Sequence, residues 1–288
     1  MAKAVLKSQR VKPVGYLQKD IYLEKETQQT TMPSPTHDTF HQLSTFLQEQ
    51  STQRGFKRVV VGLSGGLDSA VVALLCHGVF KQNCHALIMP ALTSNPQSQD
   101  HALLLCKRFN IPFSLAPIQD HHQLFKHNHP QANLTRQGNF CARMRMICLY
   151  DYSLAHQALV VGTSNKSERM LGYGTIFGDL ACAINPIGDL FKTQVYELAR
   201  MLEVPQEILE KKPSADFYIG QSDEADLGFS YAQIDPLLFE ISQRWAHADQ
   251  IDCALLVQLG YDPLLVAKMV GRVQHNAFKL EPPLICVL

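Results

Sequence analysis

Residues 62–69, with the sequence GLSGGLDS, constrain the fold of this chain more than any other segment. They follow a β-branched run at 59–61 and precede an apolar segment at 70–80, which predicts a strand, a glycine-rich turn and a helix. Glycine lets the backbone approach an anion closely, and the first turn of a helix directs its N–H groups towards that anion. The segment therefore predicts a phosphate-binding loop, called the phosphate loop below.

The phosphate loop also carries side chains suited to a nucleotide. Ser64 and Ser69 supply hydroxyl donors, and Asp68 supplies a hard oxygen ligand for Mg²⁺. Leu67 stands where GxxxxGK[ST] has its lysine, and the spacing is not GxGxxG, so the loop argues against a kinase, a GTPase or a hydride-transfer cofactor. It resembles instead the SGGxDS loop of the ATP pyrophosphatases, which cleave ATP between its α and β phosphates and transfer AMP to a substrate oxygen.

Apolar runs alternate with helical patterns in the first part of the chain, which is typical of a parallel sheet covered on both faces. The predicted strands are 57–63, 84–90, 112–117 and 158–162. The predicted helices are one from Thr39, then 67–80, 97–109 and 134–156, and further ones near 192–203, 205–210, 233–245, 250–258 and 262–273. The expected fold is α/β, a Rossmann-like open parallel sheet with helices on both faces and a helical C-terminal part.

Composition narrows the class of protein. Residues 1–37 are expected to form an N-terminal extension, and residues 38–288 the domain. The 26 basic and 26 acidic residues balance, which argues against a broad nucleic-acid surface. No apolar run approaches the roughly 20 residues of a membrane span, and the start of the chain lacks the apolar core of a signal peptide. The eight cysteines form no CxxC pair, as expected of reduced, mostly buried thiols in a cytoplasmic protein.

Polar segments elsewhere in the chain are expected beside the phosphate loop. Gly162 to Glu168 follows the strand at 158–162, so Thr163 and Glu168 are expected at the same carboxyl edge of the sheet. Glu168 can complete a Mg²⁺ site with Asp68, although an exposed acid in a first helical turn is the simpler alternative when Glu168 is considered alone.

Three further segments carry candidate ligands. Residues 172–179, called the glycine loop below, continue towards Lys192, which opens a helix where a cation opposes the helix dipole unless an anion compensates it. Residues 213–216 add the hydroxyl of Ser214. Arg143 and Arg145 are two residues apart on a helix, so at most one of them is expected to face a given ligand.

In combination, these segments resemble the NAD synthetase family. The matching residues run in order from about residue 38 to the C-terminus: the phosphate loop, 139–145, 162–168, 172–179, Lys192 to Leu198, 213–216 and 221–228. The family acts on ATP and deamido-NAD⁺ and typically forms homodimers. The 37 residues before the domain are too few for the glutaminase domain that some members carry, so the form that uses free ammonia is expected.

The resemblance also implies a role for each matching residue. Asp68 and Lys192 would be catalytic, Asp68 and Glu168 would hold Mg²⁺, and Arg143 would contact the dinucleotide. The implied ATP ligands are Gly62, Leu63, Ser64, Gly65, Gly66, Leu67, Asp68, Ser69, Thr163, Lys192 and Ser214. The chain departs from the common family pattern at Ile176, Ala183 and Phe278, where many members have lysine, aspartate and histidine.

Several alternatives stay open at this stage. A tRNA-thiolating enzyme is disfavoured by the balanced charge and the absence of CxxC, whereas a GMP-synthetase-like amidotransferase and a non-catalytic ATP sensor need substrate tests. A separate cluster of four histidines within residues 121–129 permits a zinc interpretation. A polar surface loop is the simpler expectation for that cluster, because it contains no thiolate.

Overall fold

The computed structural model describes residues 29–214 and 220–286. Its sheet contains the strands β1 (Arg58–Gly62), β2 (Cys84–Ile88), β3 (Phe113–Leu115) and β4 (Ala158–Val161). All pairings are parallel and the strand order is β3-β2-β1-β4, with Val59 beside both Cys84 and Leu159. Strands β1 and β2 lie between the outer strands, so both of their backbone edges are hydrogen-bonded within the sheet.

The helices are α1 (His37–Gln53), α2 (Leu67–Phe80), α3 (Pro96–Phe109), α4 (Gln119–Asn128), α5 (Leu134–His156), α6 (Lys166–Leu171), α7 (Lys192–Met201), α8 (Gln206–Leu209), α9 (Asp223–Leu227), α10 (Tyr231–Arg244), α11 (Cys253–Gln258) and α12 (Pro263–Asn276). No helix in the described ranges is long and apolar enough to cross a membrane. The eight cysteines are free thiols, four of them buried.

Alternating residues of β1 separate two layers of core. Val59 and Val61 belong to a cluster that includes residues of α1, α2, α3 and α7. Val60 belongs to a second cluster that includes Cys141 of α5. The predicted α/β fold with helices on both faces is therefore confirmed. A third cluster, centred on α10, α11 and α12, forms the predicted helical C-terminal part.

The histidine-rich segment corrects one expectation. Its polar composition predicted a loop, but residues 119–128 form α4. Ile118 and His122 are buried and Phe125 is partly buried, so an inward face runs at helical spacing beneath the polar residues. The Phe125 ring stacks on Phe140 of α5, with ring centres 4.2 Å apart. Helices α6 and α9, of six and five residues, were also absent from the sequence prediction.

The described part of the N-terminal extension is attached to distant parts of the chain. Residues 29–36 form no helix or strand, and Thr36 caps α1. The Gln29 side-chain amide donates to the Leu259 carbonyl at 2.8 Å, and the Thr30 N–H donates to the Glu240 carboxylate at 2.8 Å. Residues 1–28 lie outside the described ranges, and the division at 37 and 38 remains a prediction.

Candidate active site

A cavity of about 700 Å³ opens at the carboxyl edge of the sheet. The ends of β1, β2 and β4 line its floor, and the phosphate loop, the glycine loop and residues 211–214 line its walls. Parallel strands direct their following loops to the same edge, which explains why segments distant in sequence meet here.

The phosphate loop is held in one conformation by its own contacts. Gly65 has φ +74°, and a Cβ at this position would lie 1.9 Å from the Ser98 carbonyl oxygen. The Ser64 N–H donates to Ser69 Oγ at 3.2 Å, and the Gly66 N–H donates to Ser64 Oγ at 3.2 Å. Gly66 precedes α2 and supplies no side-chain cap, so the first turn of that helix offers its N–H groups to an anion.

Each expected ATP ligand in the loop except Gly65 lines the cavity. Gly65 instead packs against Ser98 and shapes the turn. Leu63 is 2% exposed and its N–H donates to the Leu87 carbonyl at 2.8 Å, so its side chain is part of the core. Thr163, Lys192 and Ser214, the three predicted ligands outside the loop, also line the cavity.

The predicted catalytic and metal-binding residues form one charged cluster. The Lys192 ammonium donates a short hydrogen bond to the Asp68 carboxylate, and its Nζ lies 3.7 Å from Glu168 Oε1. Burial alone would lower the pKa of Lys192, but the charges of Asp68 and Glu168 outweigh burial and raise it, so the side chain stays an ammonium. Burial and the Asp68 charge raise the pKa of Glu168, and Lys192 offsets part of that rise.

Asn165, which sequence reasoning did not single out, links the acids. Its side-chain amide donates to Asp68 Oδ1 at 3.0 Å, while its Oδ1 accepts from the Glu168 N–H at 2.9 Å. The second bond is the N-terminal cap of α6. One fully buried asparagine therefore fixes the spacing of the two carboxylates.

Helix α7 is anchored at Lys192 by a buried acid from α10. Asp235 Oδ2 accepts from the Thr193 N–H at 2.7 Å, and Asp235 Oδ1 accepts from the Ser167 hydroxyl at 2.6 Å. The Lys192 N–H donates to Ser167 Oγ at 2.9 Å. A cation opening a helix requires a compensating anion, and Asp235, Asp68 and Glu168 supply negative charge there from within the protein.

Asp223 is another acid that lines the cavity, and the sequence alone did not single it out. It is 3% exposed, and Oδ1 has no hydrogen-bond partner among the described residues. The Tyr231 hydroxyl donates to Oδ2 at 3.3 Å. Burial raises the pKa of Asp223, and the charge of Lys192 offsets part of that rise. Its position within the matching stretch 221–228 was the available signal.

The two arginines of α5 point to different places, as their spacing predicted. Arg145 lines the cavity, and its guanidinium donates to the Met89 carbonyl at 3.0 Å and to Ser94 Oγ at 3.2 Å. Arg143, the predicted dinucleotide ligand, is exposed, does not line the cavity and donates to the Ile176 carbonyl at 3.2 Å.

The glycine loop is fixed at its base and open at its tip. The Thr175 hydroxyl donates to Asn139 Oδ1 at 2.7 Å, and the Thr175 N–H donates to Asp179 Oδ1 at 2.8 Å. Phe177 at the tip is 60% exposed. The three positions that depart from the family pattern, Ile176, Ala183 and Phe278, do not line the cavity.

The histidine cluster lies apart from this cavity. His122 is buried with Nε2 3.3 Å from Gln137 Oε1, whereas His121, His127 and His129 are exposed. Within residues 29–214 and 220–286, no three side chains of His, Cys, Asp or Glu are grouped as metal ligands.

Comparison with known proteins gives consistent matches over most of the chain. The NAD synthase family model matches residues 39–283. An NH3-dependent NAD⁺ synthetase of Helicobacter pylori is 58% identical over 243 residues, which cover 84% of this chain and 93% of that protein. The corresponding protein of Wolinella succinogenes is 50% identical over the same shares of both chains.

Two solved structures share the fold over nearly their whole length. An NH3-dependent NAD synthetase of Campylobacter jejuni has a TM-score of 0.73 at 39% identity, covering 87% of this chain and 98% of that one. An NMN synthetase of Francisella tularensis has a TM-score of 0.73 at 32% identity, covering 88% and 98%.

Proposed function

The chain belongs to the NAD synthase family, and we propose that it is an acid–ammonia ligase that converts deamido-NAD⁺ to NAD⁺ with ATP and ammonia, releasing AMP and pyrophosphate. The observation that carries this proposal is the meeting of Asp68, Glu168 and Lys192 beside the phosphate loop. The close relatives named NH3-dependent NAD⁺ synthetase support the same reaction for this chain.

The chemistry explains why ATP is needed. A carboxylate resists attack by ammonia because it is negatively charged and has a poor leaving group. Its oxygen first forms a bond to the α-phosphorus of ATP while the bond from that phosphorus to the bridging oxygen of pyrophosphate breaks. Ammonia then attacks the acyl carbon, AMP leaves with the bonding electrons, and the surplus protons pass to solvent. Positioning and charge stabilisation suffice for both steps.

The residues of this chain fit those demands. The open N–H groups at the start of α2 and the Lys192 ammonium face the cavity where the leaving pyrophosphate must gain stabilisation. We propose that Thr163 and Ser214 contact ATP, since both line the same cavity. The glycine loop, fixed at Thr175 and exposed at Phe177, can shield the acyl adenylate from water.

The donor set at the phosphate loop fits Mg²⁺. Mg²⁺ prefers hard oxygen ligands and typically takes one or two carboxylates together with phosphate oxygens and water. Asp68 and Glu168 supply two such carboxylates, held in place by Asn165. When bound, the ion neutralises charge on the departing pyrophosphate.

We also propose a homodimer formed through one face of α5. Ile147, Tyr150 and Leu154 are 52%, 40% and 85% exposed and recur at helical spacing as an apolar stripe. Arg143 lies on the same stripe and does not line its own cavity, so we propose that it contacts the dinucleotide bound by the partner. Light scattering should show a dimer for the unmodified chain and a monomer for Leu154→Glu. An unchanged mass for that variant contradicts this interface.

The compartment proposed for the reaction is the cytoplasm, because eight free thiols suit a reducing environment. The substrates are small molecules, and neither nucleic acid nor a membrane is needed as a partner.

The decisive experiment supplies Mg-ATP, a carboxylate substrate and either ammonium or glutamine, and follows pyrophosphate and NAD⁺. Turnover of deamido-NAD⁺ with ammonium but not glutamine is expected. Nicotinate mononucleotide must be included, because the structural neighbour from Francisella tularensis is named an NMN synthetase. A preference for the mononucleotide would overturn the proposed substrate, whereas adenylation of a carboxylate followed by amidation would still stand as the reaction.

A further inference from the structure

Arg272 of α12 faces the cavity, and no acidic side chain of the described residues pairs with its charge. It lines the cavity wall, and its buried Nε has no hydrogen-bond acceptor in residues 29–214 and 220–286. The salt bridges found in those ranges do not include it. A buried donor without an acceptor costs free energy of folding, and a bound anion would supply the missing acceptor.

The guanidinium is nevertheless held in a defined place. Its central carbon lies 5.7 Å from the centre of the Tyr173 ring. The Tyr173 hydroxyl donates to Asp226 at 2.8 Å, which fixes the ring from its other end. Stacking on an aromatic face leaves the N–H edge of an arginine free to bind a planar or tetrahedral anion.

A second cation lies on the same wall. The Lys279 ammonium donates to the Gly172 carbonyl at 2.7 Å and to the Gly174 carbonyl at 3.3 Å, so it is anchored to the glycine loop. Burial lowers the pKa of Lys279, the positive charge of Arg272 lowers it further, and Asp179 opposes this. Two neighbouring cations repel each other until an anion lies between them.

We propose that Arg272 binds an anionic oxygen group of the dinucleotide substrate, either its nicotinate carboxylate or its diphosphate. This inference rests on the proposed function. Arg272 reaches the cavity from α12 and contacts the glycine loop, whereas the phosphate loop at the end of β1 is served by Lys192. Arg272 therefore acts on the dinucleotide rather than on ATP. It supplies a cation at the side of the site where Ile176 replaces the lysine of many relatives.

The test compares Arg272→Gln with Lys268→Gln, which removes the same charge one helical turn earlier from an exposed position outside the cavity. Arg272→Gln should raise the KM for deamido-NAD⁺ about tenfold or more and leave the KM for ATP unchanged. Arg272→Lys should recover part of the loss, and Lys268→Gln should match the unmodified chain. Thermal unfolding of each variant shows whether the fold is intact.

Product inhibition by NAD⁺ separates the two anions. NAD⁺ keeps the diphosphate but has an amide in place of the carboxylate, so weaker inhibition of Arg272→Gln identifies the diphosphate and unchanged inhibition identifies the carboxylate. An unchanged KM for deamido-NAD⁺, or an equal rise in the KM for ATP, overturns the inference while the proposed function stands. If the unmodified chain makes no NAD⁺ from deamido-NAD⁺, the proposed function fails and this inference fails with it.

Discussion

The two walls of the cavity differ in how they are built. The wall at the phosphate loop combines a short continuous motif with buried groups that hold one another, since Lys192 contacts two acids and Asn165 spaces them. The opposite wall is assembled from α5, the glycine loop and α12, and its arginines, Arg145 and Arg272, are partly exposed. The first wall is preorganised for one chemical group, and the second depends on contacts with its ligand to become complete.

This difference follows from the demands of the two ligands. Stabilising a leaving pyrophosphate requires charges fixed before the reaction, because reorganising them during the reaction would cost part of the catalytic gain. Holding a large dinucleotide requires several weaker contacts spread over a wide surface. Disturbing the first wall should therefore cost turnover, and disturbing the second should cost affinity.

The largest expected effect is the loss of Lys192. Lys192→Met leaves Asp68, Glu168 and Asp223 without their cation, and kcat/KM should fall roughly 10²- to 10³-fold. The matched control is Lys166→Met, because Lys166 pairs at 2.8 Å with Asp189, whose side chain is 94% exposed. That control should change kcat/KM less than about twofold. Steady-state pyrophosphate release measures both, and equal effects would show that Lys192 has no special role in turnover.

The conformation of the phosphate loop is the next point to test. Gly65→Ala places a methyl group against the Ser98 carbonyl at a positive φ, so the free energy of unfolding should fall by about 2 kcal/mol or more and the KM for ATP should rise. Gly78 of α2 has open space around its position, so Gly78→Ala should raise the free energy of unfolding by about 0.5–1 kcal/mol. Urea unfolding compares the two; similar values would show that the turn is not constrained.

A smaller effect is expected at the opposite wall, where we propose that the dinucleotide binds. Arg145→Gln removes a cation that lines the cavity, and the KM for deamido-NAD⁺ should rise about tenfold with kcat little changed. Arg143→Gln should have this effect only in the dimer. Initial rates measured with the Leu154→Glu chain, alone and combined with Arg143→Gln, test that condition. An effect of Arg143→Gln in a monomeric background would place this arginine at its own cavity.

The smallest expected effect is that of Asp223 on how the free energy of unfolding depends on pH. Its pKa is higher in the folded protein than the ordinary value of 3.8, so the folded state binds the proton more tightly than the unfolded state does. Its contribution to stability is present at low pH and is lost as the pH rises through the raised pKa. Asp223→Asn cannot titrate, so its free energy of unfolding should depend less steeply on pH above the ordinary pKa of 3.8. Urea unfolding across that range measures the slopes, and parallel curves would contradict the assignment.

The sequence predicted the two walls unequally, and for a physical reason. GLSGGLDS lies at a single strand-to-helix junction, so local geometry and chemistry are both visible in consecutive residues. Glu168 could be placed at the same edge because parallel strands have a fixed direction, and the family resemblance implied that Lys192 joins it. Asn165, Asp223 and Asp235 were missed because each acts across a distance in sequence that only the tertiary fold closes. Arg145 and Arg143 could not be distinguished, since helical spacing separates their directions without saying which of them faces the ligand.

The segment at 29–36 has a consequence for how the chain is made. The Pro33 carbonyl accepts from the Gln194 side chain at 2.7 Å, and that side chain also accepts from the Phe191 N–H at 2.9 Å at the start of α7. The segment's other partners, Glu240 and Leu259, lie more than 200 positions away. It leaves the ribosome before these two partners, which become available only when nearly all of the chain has been synthesised. A chain interrupted before α10 contains the strands and the phosphate loop but lacks Glu240 and Leu259, to which its N-terminal segment binds.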